Sequence, residues 1–155
     1  MKKILMACLL SLSLWANDSS VFEASYKTPI DKVLKNILTQ FEKDGLVVAW
    51  QLDILEEFKQ KGLDKKFGAE FNKNNLSSVK TLVACNGKFG NDIMNADPAM
   101  MAYCPIRVTL TEKDGVTTVL YVRPSSAPKS TPAYEALKAL ESKVTKSIED
   151  SMEME

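Results

Sequence analysis

The chain contains no histidine. That absence excludes Ser-His-Asp and Cys-His catalysis, histidine zinc sites and histidine-ligated haem. An enzyme built from this sequence has only carboxylates, lysine, tyrosine or thiolate to work with. Arginine is nearly missing too: Arg107 and Arg123 are the two present, so bidentate clamps for phosphate are scarce. The lysines are scattered and Lys+Arg balances Asp+Glu at 20 each, which leaves no electrostatic footprint for nucleic acid. Apolar runs are short as well. The longest, Ile4 to Trp15, falls below the roughly 20 residues a membrane helix needs.

That run lies between Met1-Lys2-Lys3 and Ala16. A short basic segment, an apolar stretch and a small residue, in that order, read as a secretory signal peptide over residues 1–16, cleaved before Asn17. A lipoprotein reading through Leu5-Met6-Ala7-Cys8 fails, because most of the apolar run follows that cysteine. The expected protein is therefore periplasmic or secreted, with no membrane anchor once the signal is removed. Cleavage removes Lys2, Lys3 and no acids, so the mature balance is 18 basic against 20 acidic residues. It also removes Cys8 and leaves Cys85 and Cys104 in a compartment that favours disulfides. Residues 17–155 suit one domain with its own core.

Along that domain, Val21 to Lys27 alternates as a strand. Thr28-Pro29-Ile30-Asp31 opens a helix, with Thr28 as cap and Pro29 at the first helical position. Ile30, Val33, Leu34, Ile37, Leu38 and Phe41 give that helix one apolar face, and Gly45 stops it. Leu46 to Leu52 is almost wholly apolar, which predicts a strand covered on both faces and central in a sheet. Asp53 and Glu56 form a capping signature for a short helix ended by Gly62, and Leu63 to Ser78 reads as a long loop. Val79 to Cys85 is a strand, Asn86-Gly87 turns out of it, and Gly90 to about Asn95 is a short helix broken by Asp97-Pro98. Residues 105–111 and 116–123 are strands joined by Glu112-Lys113-Asp114-Gly115, a hairpin signal. A last helix covers 132–151. The order β-α-β-α-β-α-β-β-α predicts an α+β two-layer sandwich, a mixed sheet of about five strands with helices on one face.

The stretch 46–124 resembles a known family, domain of unknown function 302. The resemblance rests on Gln51-Leu52-Asp53-Ile54, Phe58-Lys59-Gln60-Lys61-Gly62, Ala84-Cys85-Asn86, Ala96-Asp97-Pro98, Cys104 before a β-run, and Asp114-Gly115 before the closing strand and Pro124. It implies an α+β fold and a homodimer, and it brings no established activity.

Chemistry centres on Cys85 and Cys104. If the hairpin strand extends back through Pro105, alternation turns both thiols toward the apolar faces of their strands. Three states compete: a structural disulfide, a reactive or metal-binding dithiol, and two inert buried thiols. Met94, Met100 and Met101 lie between the cysteines; with the thiols they form a soft ligand set suited to Cu(I), or they fill a core gap. Haem held by cysteine or methionine is the other cofactor these residues permit. Asp53, Glu56 and Glu57 look like a paired acid group, but capping explains Asp53 and Glu56. Arg107 and Arg123 fall on opposite faces of their hairpin and cannot form one clamp. Trp50 reads as core, though with Tyr26 and Tyr103 it can line a pocket. Asn86-Gly87-Lys88 at a helix start can present N–H groups to a ligand. Together these point to a non-catalytic binding or sensing domain with a structural or redox-responsive cysteine pair. A thiol redox enzyme and a soft-metal or haem protein stand as alternatives.

Overall fold

The structure, a computed structural model, describes residues 19–154. The signal segment 1–16 lies outside the described residues. Five strands form one sheet in the order β1-β5-β4-β3-β2: β1 (Val21–Tyr26), β2 (Val47–Asp53), β3 (Ser78–Cys85), β4 (Ile106–Lys113) and β5 (Val116–Val122). Every pairing is antiparallel, so the expectation of a mixed sheet is corrected. The reason is that the chain after each of the first three strands does not return to a parallel neighbour; α1 (Ile30–Lys43) instead carries it from one edge of the sheet to the other. β4 and β5 are joined by Asp114 and Gly115, both with positive φ, the two-residue turn that matches strand twist.

Alternation decides which face is buried. Leu82 and Ala84, Ile106, Val108 and Leu110, and Val119 and Tyr121 share one face and meet α1 and α5 (Tyr134–Met152). Val33, Ile37 and Phe41 of α1 and Leu137, Leu140, Val144 and Ile148 of α5 complete that core at helical spacing. α4 (Gly87–Ala96) adds Ile93. Gly45, at φ 71°, ends α1 with Leu46 N–H donating to Phe41 O at 2.8 Å and its own N–H to Glu42 O at 3.1 Å. This is the paired hydrogen bonding of a left-handed helix stop.

Three local expectations change. β2 is an edge strand, with Val47 67% and Trp50 54% exposed; its apolar run reflects a register irregularity between Val48 and Trp50, not cover on both faces. The segment expected as a long loop contains α3 (Leu63–Phe67) and a 3-10 turn at Gly68–Glu70. α3 and α2 (Ile54–Gln60) share an apolar cleft of about 430 Å³ with Val79, a residue on the parity opposite Leu82. Not every helix therefore lies on the core face. Finally, α1 begins without a side-chain cap from Thr28 or Pro29. Glu112 Oε2 accepts from Ile30 N–H at 2.7 Å in their place.

Candidate functional site

β3 ends at Cys85, and its ladder with β4 ends at the pair Ala84–Ile106. The chain before Ile106 is a 3-10 segment, Pro98–Tyr103, followed by Cys104 and a cis Cys104–Pro105 peptide. Asp97 opens that segment by accepting from Ala99 N–H. Because the ladder has stopped, Cys104 is not bound by strand alternation. Its side chain enters the core at 1% exposure, and its Sγ lies 2.9 Å from Cys85 Sγ. Both cysteines are free thiols. The face expected for Cys85 is corrected: Leu82 and Ala84 carry the core parity, and Cys85 falls on the other. The thiols meet at the end of the strand, not across a shared face.

Asn86 builds the cover. Its Oδ1 accepts from Lys88 N–H and Phe89 N–H, and its Nδ2 donates to Gly45 O at 2.9 Å. The side chain expected to contact a ligand is thus committed to starting α4 and tying it to the end of α1. One turn on, Gly90 passes over the sulfurs: a Cβ there would sit 3.4 Å from Cys85 Sγ and 3.7 Å from Cys104 Sγ. Desolvation, with the Cys85 sulfur beside it, pushes the Cys104 thiol up to about 12. An activated thiolate needs the opposite environment.

On the far face of the sheet, the segment that holds Cys104 forms one wall of an open groove of about 550 Å³. Ala102, Tyr103 and Pro105 line that wall, and Arg107, Thr109, Leu120, Val21 and Val122 line the rest. This volume lies within the ordinary range for small-molecule sites. The site pairs apolar floor residues with a few polar groups, the Tyr103 and Thr109 hydroxyls and the exposed Arg107 guanidinium. Arg123 is elsewhere, as expected: it pairs with Glu141 of α5 at 3.0 Å on the helical side. Leu120, Thr109 and Val122 were not singled out from the sequence. The available signal was β5 itself, which is apolar at both parities and so has an apolar face left after the core takes Val119 and Tyr121.

Other expected site residues separate. Trp50 and Tyr26 are separated from each other on opposite edges of the sheet, β2 and β1, and neither lines the groove with Tyr103. Met100 and Met101 pack half-buried against the core, while Met94 is 48% exposed. Among the described residues, no group of three or more Cys, Asp or Glu is placed to hold a metal ion. Asp53 caps α2 by accepting from Glu56 N–H at 3.0 Å. Among the described residues, no helix is long and apolar enough to cross a membrane.

A five-stranded antiparallel sheet, with α1, α4 and α5 over one face and a groove on the other, defines an α+β sandwich domain. The chain belongs to the family described as domain of unknown function DUF302, whose model matches residues 22–154. It is similar in fold to a solved protein described as uncharacterized conserved protein DUF302 from Bacillus stearothermophilus. The TM-score is 0.71 and the identity 16%, over 83% of this chain and 95% of that one. No curated protein matches the chain.

Proposed function

We propose that this is an exported, non-catalytic binding domain whose groove takes an amphipathic anion, and whose cysteine pair serves as an oxidisable brace. The observation that carries the reading is the wall shared by the two features: Cys104 sits between Tyr103 and Pro105, which line the groove. Arg107 supplies the positive charge, and Leu120 and Val122 supply an apolar surface. The raised Cys104 pKa argues against Cys104 as an activated nucleophile, which needs a stabilised thiolate. Export is supported by the order of charge, apolar run and small residue in 1–16, a segment that ends before the family match begins at residue 22.

The test uses anilinonaphthalene sulfonate, an apolar anion, titrated into the mature protein. Saturable one-to-one binding, weakened about tenfold or more by Arg107→Glu and by Leu120→Ser but not by Lys138→Glu on α5, supports the reading. Binding unaffected by either groove substitution overturns it.

A further inference from the structure

The wall of the groove lies outside the β ladder and is held by packing of Met100, Met101, Tyr103 and Cys104 against the core. Cys104 N–H donates to Met101 O at 3.1 Å, within the wall's own turn, and the β4 ladder begins only at Ile106. What reaches across from the wall to β3 is the Cys104 side chain, whose Sγ lies 2.9 Å from Cys85 Sγ. A disulfide needs its sulfurs at about 2.05 Å, so bond formation draws the wall inward by under about 1 Å. The two thiols differ in access. Cys104 is 1% exposed, whereas Cys85 is half-buried.

We propose that the pair is a redox latch on the groove: oxidation to a Cys85–Cys104 disulfide pins the Tyr103 wall to β3 and tightens ligand binding, and reduction frees it. This rests on the binding reading above. The oxidant is a soluble disulfide, with oxidised glutathione as the probe. Cys85 loses its proton and attacks one glutathione sulfur; the glutathione S–S bond breaks, and one glutathione leaves as thiolate and takes that proton. Cys104 then loses its proton and attacks Cys85 Sγ of the mixed disulfide. The second glutathione leaves and takes the second proton, so two electrons have passed from the pair to glutathione.

The order of attack follows from the site. Cys104 is shut in, and both desolvation and the neighbouring Cys85 sulfur hold its proton on. Once Cys85 is in the mixed disulfide its hydrogen bond and charge no longer oppose ionisation of Cys104. Pinning the wall removes freedom that a ligand would otherwise have to freeze, which is how preorganisation raises affinity. The coupling is reciprocal: a ligand that prefers the oxidised form makes the disulfide harder to reduce by the same factor.

The mature protein is equilibrated in reduced and oxidised glutathione and titrated with anilinonaphthalene sulfonate. The oxidised form is expected to bind at least about fivefold more tightly, the low end of ordinary coupling, and saturating dye to shift the reduced-to-oxidised ratio by the same factor. Cys85→Ser/Cys104→Ser is expected to bind like the reduced protein in every redox buffer. Equal affinity in the two forms, or weaker binding by the oxidised form, overturns the latch while leaving the groove reading intact. Absence of dye binding in both forms overturns the groove reading instead. Amide hydrogen exchange then judges the latch by itself: oxidation must slow exchange in 99–104 at least about fivefold more than it slows β1, and a segment that slows no more than β1 overturns it.

Discussion

Glu112, near the end of β4, accepts a hydrogen bond from Ile30 N–H at 2.7 Å and so caps a helix 82 residues away in sequence. The same carboxylate accepts from Ser77 Oγ at 2.8 Å. A negative charge at a helix N-terminus is favourable, and this one also satisfies an otherwise unpaired N–H. Glu112→Ala is expected to destabilise the domain by about 1 kcal/mol, within the range for a lost N-cap. Urea unfolding checks it. Thr28→Ala is expected to cost less at the cap itself, because the Thr28 side chain does not make that contact.

Asp44 joins the end of α1 to α5. It accepts from Lys143 Nζ at 2.6 Å, Ser147 Oγ at 2.6 Å and Gln40 Nε2 at 3.0 Å. The hydrogen bond from Lys143 comes first among the causes that bring its pKa from 3.8 down to about 2. The native pKa lies below the unfolded one, so the stabilisation is present above about pH 4 and is lost as pH falls through about 2. About 1–2 kcal/mol of acid-sensitive stability is expected from this group, allowing for partial solvent screening. Asp44→Asn should flatten the stability–pH curve between about pH 4 and 2; an unchanged slope contradicts the assignment.

Gly45 holds φ 71° at the stop of α1. A β-carbon there would touch Asn86 Nδ2 at 3.6 Å, an ordinary contact, so the cost of substitution comes from the backbone. Gly45→Ala is expected to cost about 1–2 kcal/mol, and Gly45→Asn less, since asparagine tolerates the left-handed region. Thermal unfolding of the two variants ranks them.

Oxidation closes a loop between residues 85 and 104, and the chain-entropy argument for about 20 residues gives roughly 3 kcal/mol. The oxidised domain is expected to unfold at higher urea than the reduced one by about that free energy. Cys104→Ser in the reduced state should also be destabilising, because it buries a hydroxyl in a site shaped for sulfur.

Export predicts a mature chain starting at Asn17. Intact-mass analysis of protein recovered from the periplasm or medium should show that start and a mass lower by two hydrogens than the reduced form. Alkylation under native reducing conditions should label Cys85 before Cys104, because the latter is shut in the core.

Much of the fold is legible locally. The Asp53 cap, the Gly45 stop and the turn at Asp114-Gly115 each rest on contacts within a few residues, so residue type and spacing identify them. The opposite placement of Arg107 and Arg123 follows from alternation along a tight hairpin. β2 was misread because a run of apolar residues looks the same whether both faces are covered or an irregular edge strand leaves Val47 and Trp50 in solvent. The short α3 was missed because three of its five residues are charged, and Leu63 and Phe67 alone give too short an apolar period to separate it from a loop.

By itself, the sequence determined which chemistry is available: without histidine, with two arginines, and with two cysteines beyond the signal-like segment, attention falls on the thiols. It also determined the element order, because caps, stops and helical or alternating spacing are short-range properties. Only the tertiary structure decided that the sheet is wholly antiparallel, that Asn86 is a cap rather than a free donor, and that Cys85 and Cys104 meet at 2.9 Å. Those facts depend on where β3 and β4 stop pairing and on Gly90 passing over the sulfurs, contacts between distant segments that no local spacing encodes.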